Sequence, residues 1–352
     1  MRYWYGFGSG DAAGGREMAA TLGGKGANLA EMSRIGIPVP PGFILPTSLC
    51  RPVIAAGELG PEAGAALEEG LAFLEASLDG PRLGDPERPL LVSVRSGAPI
   101  SMPGMMDTVL NLGLNRETLE ALGRASANRR FALDSYRRLI QMFGDVVKGV
   151  ERSRLEAPLV RLKGEAGVDH DRELSEAHLE RLATELEEIY AEETGERFPD
   201  APLEQIRQAV TAVFLSWDGK RARTYRALHA IPDEPGTAAT VQAMVFGNLG
   251  ADCATGVAFS RHPATGDPEP MGEWLPDAQG EDVVAGVRTP GPLSRNGAES
   301  DVPSLEEAMP PIHAELVEML GRLERHFGDL QDVEFTVESG KLWLLQTRAG
   351  KR

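Results

Sequence analysis

Apolar and polar positions follow two different periods along this chain, and the switches between them outline its elements. In residues 26–35, Leu29, Met32 and Ile35 fall near one face of a helix that Gly36 ends. Residues 37–42, Ile-Pro-Val-Pro-Pro-Gly, read as a rigid extended turn, because each proline fixes its own φ and biases its predecessor away from helix. A short strand follows at 43–45. Pro61 opens a helix that turns Leu67, Leu71, Leu74 and Leu78 inward. Residues 90–94 form a buried-type strand, with Arg95 at its end, and a long irregular loop runs from 96 to 107.

The texture changes between about 115 and 199. Two helical patterns dominate there, near 131–147 and 176–193, with no strand signal. Ser175 is placed as an N-cap, and Leu174 and Leu179 as a hydrophobic staple. Pro202 starts another helix with Ile206, Val210, Val213 and Trp217 at core spacing. Strands are expected again at 241–246, 256–260, 272–275 and 282–284, and a last helix near 311–327. Proline and glycine gather in 262–303, and no repeat period is present.

The alternation is clearest at 332–348. Val333, Phe335 and Val337 point one way, so Asp332, Glu334 and Thr336 point the other. On the return run Leu342, Leu344, Gln346 and Arg348 share a face. A three-residue loop of Ser339, Gly340 and Lys341 would set Glu334 opposite Gln346 and Asp332 opposite Arg348. Two acids and an amide oxygen are hard ligands suited to magnesium, and a guanidinium suits an adjacent phosphate. Taken alone, the hairpin is better read as one with a solvated polar face.

The 352 residues are enough for more than one domain, and 42% hydrophobic with 25% charged residues is ordinary for a globular protein. No run of about 20 apolar residues suggests a membrane span. The first residues lack the pattern of a secretory leader, and the expectation is a cytoplasmic protein. Cys50 and Cys253, far apart in sequence, are expected to be reduced. A formal charge of -17 opposes nucleic-acid binding. It also repels free nucleotides, so any nucleotide site must concentrate positive charge locally.

Such charge occurs beside glycine at Gly23-Gly-Lys-Gly26. Glycines let backbone N–H groups approach an anion, and Lys25 adds a point charge, although the spacing is not that of a Walker A loop. A glycine turn with a solvated lysine is the alternative. Arg95 precedes the loop that contains Ser101-Met-Pro-Gly-Met-Met106, which is either a buried turn or a lid that excludes water. Gln242, Met244 and Val245 lie in a run that is either plain core or an adenine-lining strand. Glu281 is either solvated or a ribose ligand.

Taken together, five segments resemble the pyruvate, phosphate dikinase family. They are Gly23-Gly-Lys-Gly-Ala-Asn-Leu-Ala-Glu-Met32, Ser93-Val-Arg-Ser-Gly97 with residues 101–108, residues 240–248, residues 277–286, and Gln331-Asp-Val-Glu-Phe335 with Leu345-Gln-Thr-Arg348. They occur in the family's order and span essentially the whole chain. The resemblance implies an α+β chain with an ATP-grasp fold and a helical insertion. Residues 1–114 would form the first lobe, 115–199 the insertion, 200–243 the return to the first lobe, and 244–352 the second lobe.

The resemblance also implies roles. Lys25, Arg95 and Arg348 would hold the phosphates of ATP, with Asp332 in support of the catalytic set. Glu334 and Gln346 would bind Mg2+. Ser101, Gly104 and Met105 would belong to a loop closing over the phosphates. Gln242, Met244 and Val245 would line the adenine pocket, and Glu281 would reach the ribose. The family's phosphohistidine and pyruvate-binding domains have no counterpart in these residues and would be partners, alongside ATP and phosphate, with no nucleic acid or membrane involved. The alternatives are the ATP domain of a water-dependent phosphoenolpyruvate synthase and a non-catalytic nucleotide-binding module.

Overall fold

The computed structural model describes residues 2–8, 10–100, 102, 104–284, 288–295 and 302–351. The strands are β1 (Tyr5–Gly8), β2 (Asp11–Ala12), β3 (Gly42–Leu45), β4 (Val92–Gly97), β5 (Thr108–Leu112), β6 (Ala238–Ala243), β7 (Ala254–Phe259), β8 (Met271–Pro276), β9 (Gly291–Pro292), β10 (Gln331–Glu338) and β11 (Lys341–Ala349). The helices are α1 (Ala19–Arg34), α2 (Cys50–Ala56), α3 (Pro61–Ala76), α4 (Arg116–Ala125), α5 (Arg129–Val146), α6 (Arg152–Ala166), α7 (Glu176–Thr194), α8 (Pro202–Ser216), α9 (Lys220–Leu228), α10 (Gly280–Val284), α11 (Leu305–Ala308) and α12 (Pro310–Phe327). Helices and antiparallel sheets together make an α+β chain.

The chain divides into two compact units. One comprises residues 1–6, 20–24 and 42–244, and the other residues 7–19, 25–41 and 245–352. Segments 7–19 and 25–41 thus group with the C-terminal portion.

In the first unit, β3, β6, β4 and β5 lie side by side, every pair antiparallel. The central strands are buried on both faces, with Val92, Val94 and Val241 fully enclosed, so they read as continuous apolar runs. Helix α3 settles on β3 through Gly70, where a Cβ would stand 2.3 Å from the Phe43 ring. The helical portion packs Phe198 edge to face with Tyr136, Phe143 and Tyr190, with ring centroids 5.3 to 5.9 Å apart. Ion pairs surround this cluster. Buried Asp134 receives Arg137 at 2.8 Å and Arg138 at 3.0 Å, and Arg137 also reaches Asp171. Against a burial penalty that acts the other way, Arg137 and Arg138 hold the Asp134 carboxyl below the ordinary carboxylate range, and Arg137 with the Lys163 ammonium does the same for Asp171.

In the second unit, five antiparallel strands run in the order β11, β10, β7, β8, β9. Helix α12 packs on β10 and β11 through an apolar stripe of Leu316, Leu320 and Leu323. In the first unit, Ser175 caps α7 as expected, its side chain accepting from the His178 N–H at 3.3 Å.

Three local expectations are corrected. Residues 282–284 belong to α10, not to a strand: the Asp282 carboxylate accepts the Gln279 N–H at 2.9 Å, and that cap starts a helical turn. Arg95 lies inside β4, paired with Thr108 and Thr240, not beyond the strand's end. The hairpin loop is two residues, Ser339 and Gly340, because Glu338 pairs directly with Lys341. Both carry positive φ, 50° and 73°, as the mirror-image hairpin turn requires.

Candidate functional site

The two-residue turn alone would put Glu334 opposite Leu345. A register shift between Glu334 and Phe335 moves the partner on by one: Phe335 faces Leu344, whereas Glu334 faces Gln346 and Asp332 faces Arg348. The extra residue is Leu345, and the irregularity is a bulge in β11. It reverses the faces of β11 along its length. Leu342 and Leu344 join Val337 and Phe335 in the core, while Gln346, itself buried, and exposed Arg348 lie beside Glu334 and Asp332. The expectation that all four return-strand residues share a face is thereby corrected. The two expected cross-strand pairs stand, reached through a shorter turn and a bulge.

The resulting patch is polar and internally bonded. Gln346 Nε2 donates to Glu334 Oε1 at 3.1 Å, and Arg348 Nε donates to Asp332 Oδ2 at 2.8 Å. Asp332 is largely covered and Arg348 half-exposed, with side-chain exposures of 15% and 49%. Among the described residues no group of three or more His, Cys, Asp or Glu side chains is placed to hold a metal by itself. The patch suits the other mode of binding, in which Mg2+ keeps waters and takes substrate phosphates, one carboxylate and an amide oxygen. Glu334 and Gln346 are the residues here that could supply a carboxylate and an amide oxygen, and Asp332 stands two residues along the same face.

Lys25 is exposed on the second half of α1, just past a sharp break at Gly23, whose φ is 70° and ψ 160°. A Cβ on Gly23 would lie 1.7 Å from the Gly97 carbonyl oxygen, and the Gly24 N–H donates to the Ala98 carbonyl at 2.9 Å. The glycines of this motif thus fit the backbone against the end of β4. Arg95, partly exposed, lies two residues before Gly97 on β4. Gly104 and Met105 form a turn closed by the Met105 N–H to the Met102 carbonyl at 3.2 Å, with Gly104 at φ 71° and open space around it. Ser101 lies outside the described residues. The loop ends at Asp107, to which Arg221 donates at 2.8 Å. Burial pushes the Asp107 carboxyl up, and Arg221 opposes the shift.

Gln242 is buried in β6, paired with Gly42 on one side and Ser93 on the other, and the Met244 N–H donates to Leu91. The ladder therefore takes up the backbone through Met244, and the chain leaves the sheet at Val245. The Phe246 N–H donates to Glu338 at 2.7 Å, and burial raises that carboxyl above its ordinary range. The Glu281 side chain lies outside the described residues. A surface depression of about 530 Å³ lined by Arg2, Trp4, Glu62 and Glu69 contains none of the candidate residues.

The contacts that hold the hairpin were not legible in the sequence. Buried Gln331 accepts from Thr347 Oγ1 at 2.9 Å, and its backbone bonds Ser260 in both directions. Its adjacency to Asp332 was the available signal.

A family model described as the pyruvate phosphate dikinase AMP/ATP-binding domain matches residues 19–75, 74–302 and 292–352. The chain belongs to this family. It is 52% identical over its whole length to pyruvate, phosphate dikinase of Rhizobium meliloti (strain 1021), of which it covers 40%. It is 49% identical to pyruvate, phosphate dikinase 1, chloroplastic, of Arabidopsis thaliana over 98% of its length, covering 35% of that protein. The Zea mays protein of the same name is 48% identical over 98% of the chain, 36% of its own length. The chain thus spans well under half of these relatives. Among the described residues no helix is long and apolar enough to cross a membrane, and Cys50 and Cys253 are free buried thiols.

Proposed function

We propose that this chain is the Mg-ATP-binding part of a pyruvate, phosphate dikinase, with an ATP-grasp architecture. One observation carries the reading: in a member of the AMP/ATP-binding family, the hairpin bulge sets Glu334 with Gln346 and Asp332 with Arg348 on one face. Lys25, Arg95 and Arg348 hold the phosphates, and Asp332 fixes the Arg348 guanidinium through its Nε bond. Bound Mg2+ would neutralise phosphate charge between Glu334 and Gln346. Met244 and Val245 line the adenine, Gln242 supports them from within β6, and Glu281 binds the ribose. Ser101, Gly104 and Met105 cover the phosphates and exclude water. Phosphoryl transfer needs alignment and positive charge with little covalent help from the protein, and this residue set supplies both.

In the complete reaction ATP gives its β-phosphoryl to a histidine on another domain and its γ-phosphoryl to inorganic phosphate. AMP and diphosphate leave, and the phosphohistidine converts pyruvate to phosphoenolpyruvate. A cytoplasmic location belongs to this reading. The test combines the chain with the histidine domain of a dikinase, inorganic phosphate and β-labelled ATP. Label on the histidine, dependent on Lys25 and accompanied by diphosphate, supports the reading. Release of orthophosphate in place of diphosphate would move the chain to the water-dependent synthases, and no transfer despite ATP binding would leave a nucleotide-binding module.

A further inference from the structure

Within the second unit, the helix that carries Lys25 is bonded to the strand that carries Gln346 and Arg348. Asn28 Nδ2 donates to the backbone carbonyl of Thr347 at 2.8 Å, across 319 positions of sequence. Asn28 lies three residues after Lys25 on α1, so the two side chains are neighbours on the helix surface. Thr347 lies between Gln346 and Arg348, whose side chains leave β11 on the face opposite its own. A single side chain therefore grips the backbone between two candidate ligands one helical turn from a third.

The rest of this segment is secured independently. Arg322 donates to the Ile35 carbonyl at 2.6 Å, His326 bonds Glu31 at 2.6 Å, and the Leu344 N–H donates to the Pro38 carbonyl at 2.9 Å. These contacts fasten the far end of α1 and the turn after it. Asn28 fastens the end beside Lys25. On the other side, Thr347 is fully buried and its hydroxyl donates to Gln331, so the carbonyl that Asn28 meets is itself fixed.

We infer that Asn28 is a positioning residue: it sets the Lys25 ammonium at the spacing from Gln346 and Arg348 that a polyphosphate requires. The inference rests on the nucleotide reading above. Alignment of charge on a phosphate chain tolerates little displacement, and a helix end released from its strand gives up that alignment without losing the fold.

The test measures ATP and AMP binding, with magnesium, to the full chain and to Asn28→Ala and Asn28→Leu. AMP lacks the β- and γ-phosphates of the chain against which Lys25 is set. Asn28→Leu keeps the side-chain bulk with neither the donor nor an added charge, and it carries the test should the alanine variant fail to fold. The expected result is an affinity for ATP lowered about tenfold with AMP affinity unchanged and a native circular dichroism spectrum. A wild-type chain that binds ATP and variants that bind it equally well would overturn the assignment alone. So would equal losses for ATP and AMP, which mark general damage to the fold. A wild-type chain that binds no Mg-ATP would overturn the nucleotide reading and this assignment with it.

Discussion

Replacing Gly23 by alanine is expected to damage the chain where replacing Gly24 does not. At Gly23, φ 70° with ψ 160° is a conformation open essentially to glycine, and a side chain forced into it costs about 1–3 kcal/mol. The new Cβ would also stand 1.7 Å from the Gly97 oxygen and 2.4 Å from its carbonyl carbon, so backbone must move. That backbone is not free to yield: the Gly97 N–H donates to Thr237 Oγ1 at 3.1 Å, and Gly97 pairs with Ala238 in the sheet. Strain and displacement together predict a loss of about 3 kcal/mol or more. At Gly24 the nearest atoms to a new Cβ are 3.6 Å away, an ordinary contact, and the bond to Ala98 comes from the backbone. Gly24→Ala is accordingly expected to stay within about 1 kcal/mol of wild type, on the stable side. Urea denaturation followed by circular dichroism compares the two, with a midpoint lower by about 1 M for Gly23→Ala if the slope is near 3 kcal/mol per M. Because Arg95 lies two residues before Gly97, ATP binding should weaken in Gly23→Ala as well. A Gly23→Ala chain within about 0.5 kcal/mol of wild type would refute the close approach on which this reasoning rests.

Asp134→Ala leaves Arg137 and Arg138 without their buried partner and should cost about 3–5 kcal/mol in urea denaturation; a loss under about 1 kcal/mol would show that the network is dispensable. The Asp134 and Asp171 carboxyls are held below the ordinary value of 3.8, so the unfolded chain binds more protons as pH falls past that value. Their stabilisation is full above about pH 4 and declines below it, and a urea midpoint that rises between pH 5 and pH 3 would contradict the sign. Glu338→Gln keeps an acceptor for the Phe246 N–H and removes a charge that burial disfavours, so its midpoint at pH 8 should equal or exceed wild type; a clear fall would place Glu338 in a charge-dependent role. Glu334→Ala should reduce the gain in ATP affinity that magnesium provides, and an unaltered magnesium titration would remove Glu334 from the ligand set.

The facing of Glu334 with Gln346 and of Asp332 with Arg348 was legible because both runs alternate strictly near Asp332 and Arg348. The route to it was not. Leu344 and Leu345 are both apolar, so the pattern does not mark which of them is the extra residue, and a longer turn gives the same two pairs. The helix at 280–284 reads as a strand because Val283 and Val284 are both β-branched, while the deciding Asp282 cap is a single side-chain bond. Arg95 looked like a strand end because polar residues follow it, yet Ser96 and Gly97 continue the ladder against Ala239 and Ala238. The Asn28 contact joins positions 319 residues apart and leaves no local trace in either segment. The α7 cap was readable because capping is decided by neighbours in sequence.

The most direct test of the central claim is calorimetric titration of this chain with ATP, with and without magnesium, and with GTP as the control. The account predicts saturable ATP binding that magnesium strengthens and that Lys25→Ala weakens. ATP binding that is absent, or indifferent to both magnesium and Lys25, would contradict it.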